Sequence, residues 1–366
     1  MTKIIKVNLG ERSYPIIIQP GLIGKIGEAL RRGAWSTFAS LSVNSKRSRC
    51  VIITDRNVAS LYLNKVSSSL KKSGIKCISY IIPAGESQKS LATVNKIYDF
   101  LLRNKIERSD IMIALGGGVT GDITGFVAGT YKRGMKFIQA PTSLMAQVDS
   151  SIGGKTGVNH ASGKNLIGMF YQPSAVLIDP LALKTLPKQE FANGMAEVIK
   201  AAIIKDAQLF RLLANKHSQI MGLNPDALEE MLARAITIKK NLVEQDEFDI
   251  AGKRILLNYG HTVGHILESL GQYRRYKHGQ AVAIGMMAAA RISCRMGLIG
   301  KDFIGQQATI LKLYKLPVTP DKPIKFSQAI KFLAQDKKII KGMVAEVLPH
   351  RIGLAKAYQI PLNKFR

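Results

Sequence analysis

Ile111-Met112-Ile113-Ala114-Leu115-Gly116-Gly117-Gly118-Val119-Thr120-Gly121-Asp122 is an apolar run that breaks into glycines and enters a helical pattern from Ile123. A run this short and this apolar reads as a strand buried on both faces, which is the habit of parallel sheets. The glycines let backbone N–H groups approach a ligand closely. The helix behind them turns its positive end toward an anion. A pyrophosphate is the natural guest. Glycine clusters also serve as plain tight turns, and the strand before and helix after are what favour a nucleotide here. Residues 116–168 hold 12 of the 32 glycines, so the ligand is expected along this stretch.

Outward from that turn, strands are expected at Ile16–Ile18, Val51–Thr54, Ile78–Ile82, Phe137–Ala140 and Ala175–Ile178. Helical spacing of apolar residues marks Val58–Leu70 and Leu91–Leu102 between them. Alternation of the two types predicts an α/β nucleotide-binding domain of Rossmann type over residues 1–187. After Pro187 strand signals stop and helical patterns take over at Met195–Leu213, Ala227–Val243 and Ala281–Met296. Residues 188–366 are therefore expected to form an all-α domain. Ser36–Arg49 is polar, basic and aperiodic, a surface loop or insertion.

A chain of 366 residues is long enough for two or three domains at about 150 residues each, and needs no disulfide staple. Cys50, Cys77 and Cys294 are odd in number and far apart, as reduced thiols would be. The start, MTKIIKVNLGERSYP, lacks a signal-peptide apolar core, so a cytoplasmic location is expected. The longest apolar candidate, Ala281–Ile292, contains Gly285 and Arg291 and is too short for a bilayer, which needs about 18 residues. The 53 basic and 25 acidic residues give a net charge of +28. The basic residues are scattered in pairs with no run of five, so neither nucleic acid nor membrane is the expected partner.

Asp149-Ser150-Ser151-Ile152-Gly153-Gly154-Lys155-Thr156 ends like an ATPase phosphate loop, but Asp149 stands where that loop requires glycine. Lys155 and Lys164 remain as lysines in glycine-rich loops, suited to neutralising an anion or simply to a surface. In Asn258-Tyr259-Gly260-His261-Thr262-Val263-Gly264-His265-Ile266-Leu267-Glu268 the two histidines lie one helical turn apart. They read as metal ligands, as packing residues or as substrate hydrogen-bonders. Thr262 stands where a zinc protease has its glutamate. A third ligand would come from His278 or Glu197, although Glu197 and Lys200 at i, i+3 also read as an ordinary ion pair.

Taken in order, LGGGVTGD, PTSLMAQVDSSIGGKTGVNH, GKNLIGMFYQP, GMAEVIK, LNYGHTVGH and KHGQAVAIGM resemble the 3-dehydroquinate synthase family over almost the whole chain. The resemblance implies NAD, one divalent metal (zinc or cobalt) and an anionic sugar-acid substrate, 3-deoxy-D-arabino-heptulosonate 7-phosphate. It implies transient oxidation, phosphate elimination, reduction and aldol closure to 3-dehydroquinate. Matched residue by residue, it puts the metal on Glu197, His261 and His278, and so moves His265 from the metal to the substrate side. Cofactor contacts match Glu86, Lys89, Gly117, Gly118, Val119, Asp122, Thr142, Ser143, Lys155, Lys164 and Thr185. Substrate contacts match Asp149, Asn165, Lys200, Lys240, Arg254, Asn258, His265 and Lys337. Lys155, Lys200, Arg254, Asn258 and His265 are the implied catalytic set. Arg133 matches an arginine that reaches the substrate phosphate of a neighbouring subunit, which implies a homodimer.

Two of the places where the chain departs from the family pattern bear on the site. Gln280 replaces a glutamate after His-Gly, which predicts a missing charge beside His278 and weakened metal affinity. Ile250 replaces an acid before Arg254, with Asp249 adjoining it, and a one-residue shift would make Lys239 the contact in place of Lys240. Another sugar phosphate cyclase, or a metal-dependent polyol dehydrogenase of the same fold, is the alternative reading.

Overall fold

The computed structural model describes residues 2–31, 49–271, 275–323, 339–340 and 343–361. Lys337 and residues 36–48 of the expected surface loop lie outside them. The chain divides into two compact units, Met1–Leu186 and Pro187–Arg366.

The first unit comprises β1 Lys3–Val7, β2 Tyr14–Ile18, α1 Ile26–Arg31, β3 Cys50–Asp55, α2 Arg56–Val58, α3 Asn64–Lys72 and β4 Cys77–Ile82. There follow α4 Leu91–Arg103, β5 Ile111–Gly116, α5 Gly118–Thr130, β6 Phe137–Pro141, β7 Lys155–His160, β8 Gly163–Phe170 and β9 Ala175–Ile178. Among the described residues, seven strands form one sheet in the order β1-β2-β9-β6-β5-β3-β4. Every pair in it is parallel except the edge pair β1–β2. Successive side chains point to opposite faces. Cys50, Ile52, Ile113 and Leu115 join Ile26 and Leu30 of α1 and Val66 and Leu70 of α3 on one face. Val51, Ile53 and Met112 join Val94 and Ile97 of α4 and Ile123 and Val127 of α5 on the other. Each such side chain, wholly buried, contributes about 1.5–3 kcal/mol.

Two elements escaped the sequence reading. β1 was not expected, and the glycine-rich stretch carrying Lys155 and Lys164 is an antiparallel hairpin, β7–β8, in place of loops. Gly157 and Gly168 face each other in it: a Cβ on Gly157 would lie 2.5 Å from the Ile167 carbonyl oxygen.

The second unit contains α6 Lys188–Lys205, α7 Ala207–Asn215, α8 His217–Met221, α9 Pro225–Gln245, α10 His261–Leu270, α11 His278–Arg295 and α12 Lys301–Leu313. The stretch expected as one helix over Met195–Leu213 is two. The Asp206 carboxylate accepts from the N–H groups of Gln208 (2.8 Å) and Leu209 (3.0 Å) and starts α7 afresh. The unit is not all helix: β10 Ile339–Ile340, β11 Met343–Arg351 and β12 Leu354–Pro361 form an antiparallel sheet. Val344, Val347, Leu348 and Ile360 are buried, and β11 packs along α11.

Candidate functional site

In the first unit the glycine turn leads from β5 into α5. Gly117 caps α5 without any side-chain hydrogen bond, which leaves the first N–H groups of a 13-residue helix to a ligand. The Thr142 N–H donates to the Gly116 carbonyl at 2.9 Å, which draws Thr142-Ser143 against the turn. A Cβ on Gly117 would lie 3.4 Å from Ser143 Oγ, and one on Gly118 3.1 Å from Ser150 Oγ. Ser150 Oγ is buried and has no hydrogen-bond partner. An uncapped helix start, a surface that side chains would crowd and an unsatisfied hydroxyl together fit an anionic diphosphate.

One turn along α5, Asp122 meets Lys89, whose Nζ lies 2.5 Å from Asp122 Oδ2 and 2.5 Å from Asn165 Oδ1. Asn165 N–H donates to Asn159 Oδ1 (3.0 Å), and Asn159 Nδ2 donates to Glu86 Oε1 (2.8 Å). Glu86, Lys89, Asp122 and Asn165 are thus brought together, while Val119 sits in the first turn of α5. The Thr185 hydroxyl is held elsewhere, 2.6 Å from the Tyr62 hydroxyl and 3.1 Å from the Ala182 carbonyl. Lys155 and Lys164 stand on the hairpin strands, and Asp149 lies in the π-turn Ala146–Ser150.

In the second unit two close approaches set the geometry. Gly285 of α11 meets Gly260, which precedes α10: a Cβ on Gly285 would lie 1.8 Å from the Gly260 carbonyl oxygen. Gly279 of α11 meets α6, where a Cβ would lie 2.0 Å from the Asn193 carbonyl oxygen. With no side chains between them, the three helices bring Glu197 from α6, His261 from α10 and His278 from α11 together. Their ligand atoms all lie within 4.8 Å of one another.

Each ligand atom is oriented by its neighbours. His261 Nδ1 lies 3.2 Å from the Tyr259 carbonyl, which can only accept, so that nitrogen carries the hydrogen and Nε2 presents its lone pair. His278 Nδ1 donates likewise to Glu268 Oε2 at 3.2 Å. Lys200 holds Glu197 Oε2 in an ion pair. Glu197 Oε1 is left buried without a hydrogen-bond partner, 3.8 Å from His261 Nε2 and 3.6 Å from His278 Nε2. Donors around a four-coordinate zinc at about 2.0–2.1 Å sit about 3.4 Å apart, so the set fits a divalent ion. The His278 side chain is 33% exposed against 3% for Glu197, which leaves one side open to further ligands.

The electrostatics match. Burial opposes the charge on Glu197, yet Lys200 and then His278 outweigh it and hold the carboxyl well below its usual range. Burial first, then the Lys200 charge, pulls His261 down and keeps it neutral. Burial also works against a charged His278, but the carboxylates of Glu197 and Glu268 beside it lift it to about 10.

His265, one turn beyond His261, is exposed, with ring centroids 5.4 Å apart, and it is not in the ligand set. Arg254 is buried and donates through Nη1 to the Glu247 carbonyl at 3.0 Å; Asn258 ends the same 3-10 turn, Lys253–Asn258. Lys239 is buried at 8% exposure, whereas Lys240 forms an i, i+4 ion pair with Glu244 at 2.9 Å. Ile250 is 86% exposed, and the acid serving this loop is Asp246, which accepts from the N–H groups of Ile250 (2.8 Å), Ala251 (3.0 Å) and Lys253 (3.0 Å). The expectation for Gln280 is corrected. Its side chain accepts from the Lys277 N–H at 3.0 Å and caps α11, and the carboxylate beside His278 is present as Glu268.

Ser150 and Glu268 are the residues that sequence reasoning passed over. Glu268 carried a signal, seven residues after His261 and so on the same face of α10. Ser150 carried none beyond its place among the glycines.

Two family models match the chain: "3-dehydroquinate synthase N-terminal" over residues 79–193 and "3-dehydroquinate synthase C-terminal" over 194–339. A 3-dehydroquinate synthase of Crocosphaera subtropica is 45% identical over 355 residues, covering 96% of this chain and 94% of the relative. One of Shewanella halifaxensis is 44% identical, covering 98% and 96%. Among solved structures, a 2-epi-5-epi-valiolone synthase from Streptomyces hygroscopicus subsp. jinggangensis, with NAD+ and Zn2+ bound, superposes with a TM-score of 0.85 at 28% identity. It covers 98% of this chain and 96% of its own.

Proposed function

The chain belongs to the 3-dehydroquinate synthase family, and on that premise we propose that it converts 3-deoxy-D-arabino-heptulosonate 7-phosphate to 3-dehydroquinate and phosphate. The observation that carries this reading is the cluster of Glu197, His261 and His278, with one carboxylate oxygen unsatisfied between two oriented imidazoles. The first unit is the NAD-binding domain, and the second holds the metal and substrate.

Bound at these sites, a divalent ion supplies Lewis acidity to substrate hydroxyls and NAD supplies a reversible hydride acceptor. Glu197, His261 and His278 hold the ion, and Lys200 keeps Glu197 ionised and aimed. Gly117, Gly118, Val119, Thr142 and Ser143 receive the diphosphate, with Glu86, Lys89, Asp122, Lys155, Lys164 and Thr185 as further cofactor contacts. Arg254 and the buried lysine of α9 clamp the anionic groups of the substrate as fixed donors. The burial of Lys239 favours it over Lys240 for that role. Asn258, His265, Asn165 and Asp149 hydrogen-bond hydroxyls and carry protons.

The protein is read as a cytoplasmic homodimer. Lys132, Arg133 and Gly134 have φ of 48°, 62° and 107°, three left-handed residues in a row that present an exposed Arg133. That arrangement supports its reaching a partner's substrate phosphate.

A phosphate-release assay tests the function. Phosphate and 3-dehydroquinate are expected in equal amounts, with no net NADH, and chelator is expected to abolish both. Steady NADH formation from a simple polyol would transfer the assignment to a dehydrogenase of the same fold.

A further inference from the structure

We propose that Glu268 is a positioning residue for the metal centre: by accepting from His278 Nδ1 it fixes the tautomer and rotation of that ring, so that Nε2 faces Glu197. The inference rests on the metal site proposed above and adds a residue to it.

Glu268 lies at the end of a chain of contacts that runs through His278 to Glu197. It is 5% exposed, on α10, seven residues from His261, and its Oε2 accepts from His278 Nδ1 at 3.2 Å. A buried carboxylate is costly unless it is paired and hydrogen-bonded. His278 sits at the first turn of α11, where Gly279 permits close contact with α6, and its other nitrogen lies 3.6 Å from Glu197 Oε1. The imidazole is therefore held between two carboxylates. One, Glu197, faces the ion position and is anchored by Lys200. The other, Glu268, accepts a hydrogen bond from Nδ1–H, which keeps the hydrogen on that nitrogen and leaves Nε2 to present its lone pair.

His261 shows the contrast. Its Nδ1 bonds to a neutral carbonyl, that of Tyr259. A charged acceptor binds the N–H more strongly than a neutral carbonyl does, so the orientation of His278 depends on its partner more than that of His261 does. Gln280, two residues along, is committed to the α11 cap and cannot supply this charge.

The test uses the full chain and compares Glu268→Gln, Glu268→Asp and Gln280→Ala with the unaltered protein. Zn2+ and Co2+ affinities are read by competition with a chromophoric chelator, and the visible spectrum of the Co2+ form reports ligand geometry. Glu268→Gln keeps the shape and removes the charge. It is expected to weaken metal binding about 10- to 100-fold, the range typical of such outer partners, and to alter the Co2+ spectrum. Its metal-free melting temperature should hold. Glu268→Asp, which keeps the charge on a shorter stem, should fall between, and it decides the matter if the glutamine variant does not fold. Gln280→Ala should lower the melting temperature without altering metal affinity. Unchanged metal affinity and spectrum in the Glu268 variants would overturn the proposal. Failure of the unaltered protein to bind either ion would instead overturn the metal site itself.

Discussion

Asn193 Oδ1 accepts a 2.5 Å hydrogen bond from the Gly279 N–H, and this bond seats the start of α11 on α6 one helical turn before Glu197. Glu197 on one helix and His278 on another, two of the proposed metal ligands, are thereby brought within reach of each other by residues outside that set. The docking of the two helices and the geometry of the site therefore stand or fall together.

Asn193→Ala leaves the Gly279 N–H without its partner, at a cost of about 1–3 kcal/mol if no water replaces it. Gly279→Ala is harsher, because its Cβ would lie 2.0 Å from the Asn193 carbonyl oxygen. Both are expected to lower the melting temperature of the metal-free protein and to weaken Zn2+ binding, Gly279→Ala more. Calorimetry and metal titration check this; a Gly279→Ala protein with normal values for both would refute the docking role.

Lys239 and Lys240 separate two readings of one motif. Loss of a buried, charge-assisted contact costs about 1.5–3 kcal/mol, so Lys239→Met is expected to lower kcat/KM roughly 10- to 100-fold. Lys240→Met removes the half-buried i, i+4 pair with Glu244 and is expected to lower stability while leaving kinetics unchanged. Equal effects, or the reverse order, would return the role to Lys240.

Gly118→Ala places a methyl 3.1 Å from Ser150 Oγ, on the surface offered to the diphosphate. NAD binding, followed by calorimetry, is expected to weaken by about tenfold or more, a shift of about 1.4 kcal/mol, while Zn2+ binding is unaffected. Ser150→Ala should weaken NAD binding less, since a single neutral hydroxyl contributes about 0.5–1.5 kcal/mol. A Gly118→Ala chain with normal NAD affinity would move the cofactor away from this turn.

Asp246 gives a pH test. Burial opposes its charge, but backbone N–H donors led by Ala251 and Ile250 outweigh that and hold its carboxyl below the ordinary 3.8. A depressed folded value means the stabilisation is present above the unfolded pKa and is lost as pH falls through the folded one. Asp246→Asn should therefore melt below the unaltered protein near neutrality, and the gap should close as the pH falls below the ordinary carboxylate value and through the folded one. A gap independent of pH would show that the loop before Arg254 is held by something else.

What the sequence made legible followed from local pattern. β5, β6 and β9 were readable because apolar runs bounded by glycine and proline have few other uses, and the turn at Gly116–Gly118 sits between strand and helix as expected. The β7–β8 hairpin was hidden because Gly157 and Gly168 serve close strand contact there, and glycine in a polar stretch reads equally well as loop. Periodicity alone offered His265 as a partner for His261. The side chains that cluster with His261 in the candidate site, Glu197 and His278, come from other helices and depend on the Gly260–Gly285 and Asn193–Gly279 contacts, which no helical spacing records. The β11–β12 pair was missed behind the helical signal of the preceding residues. Gln280 misled for a different reason: the capping position accepts glutamate and glutamine alike, so the residue type there carries no information about the ion.

The antiparallel edge strand β1 has a consequence for solubility. Its partner β2 is the wholly buried run Tyr14-Pro15-Ile16-Ile17-Ile18, whose outer backbone would otherwise be open to pairing with another molecule. β1 covers that run and shows solvent Lys3, Ile4 and Lys6 in place of a bare hydrophobic ribbon. Trimming the chain before Asn8 should thus leave the metal and nucleotide chemistry untouched while turning the protein into one that self-associates and precipitates.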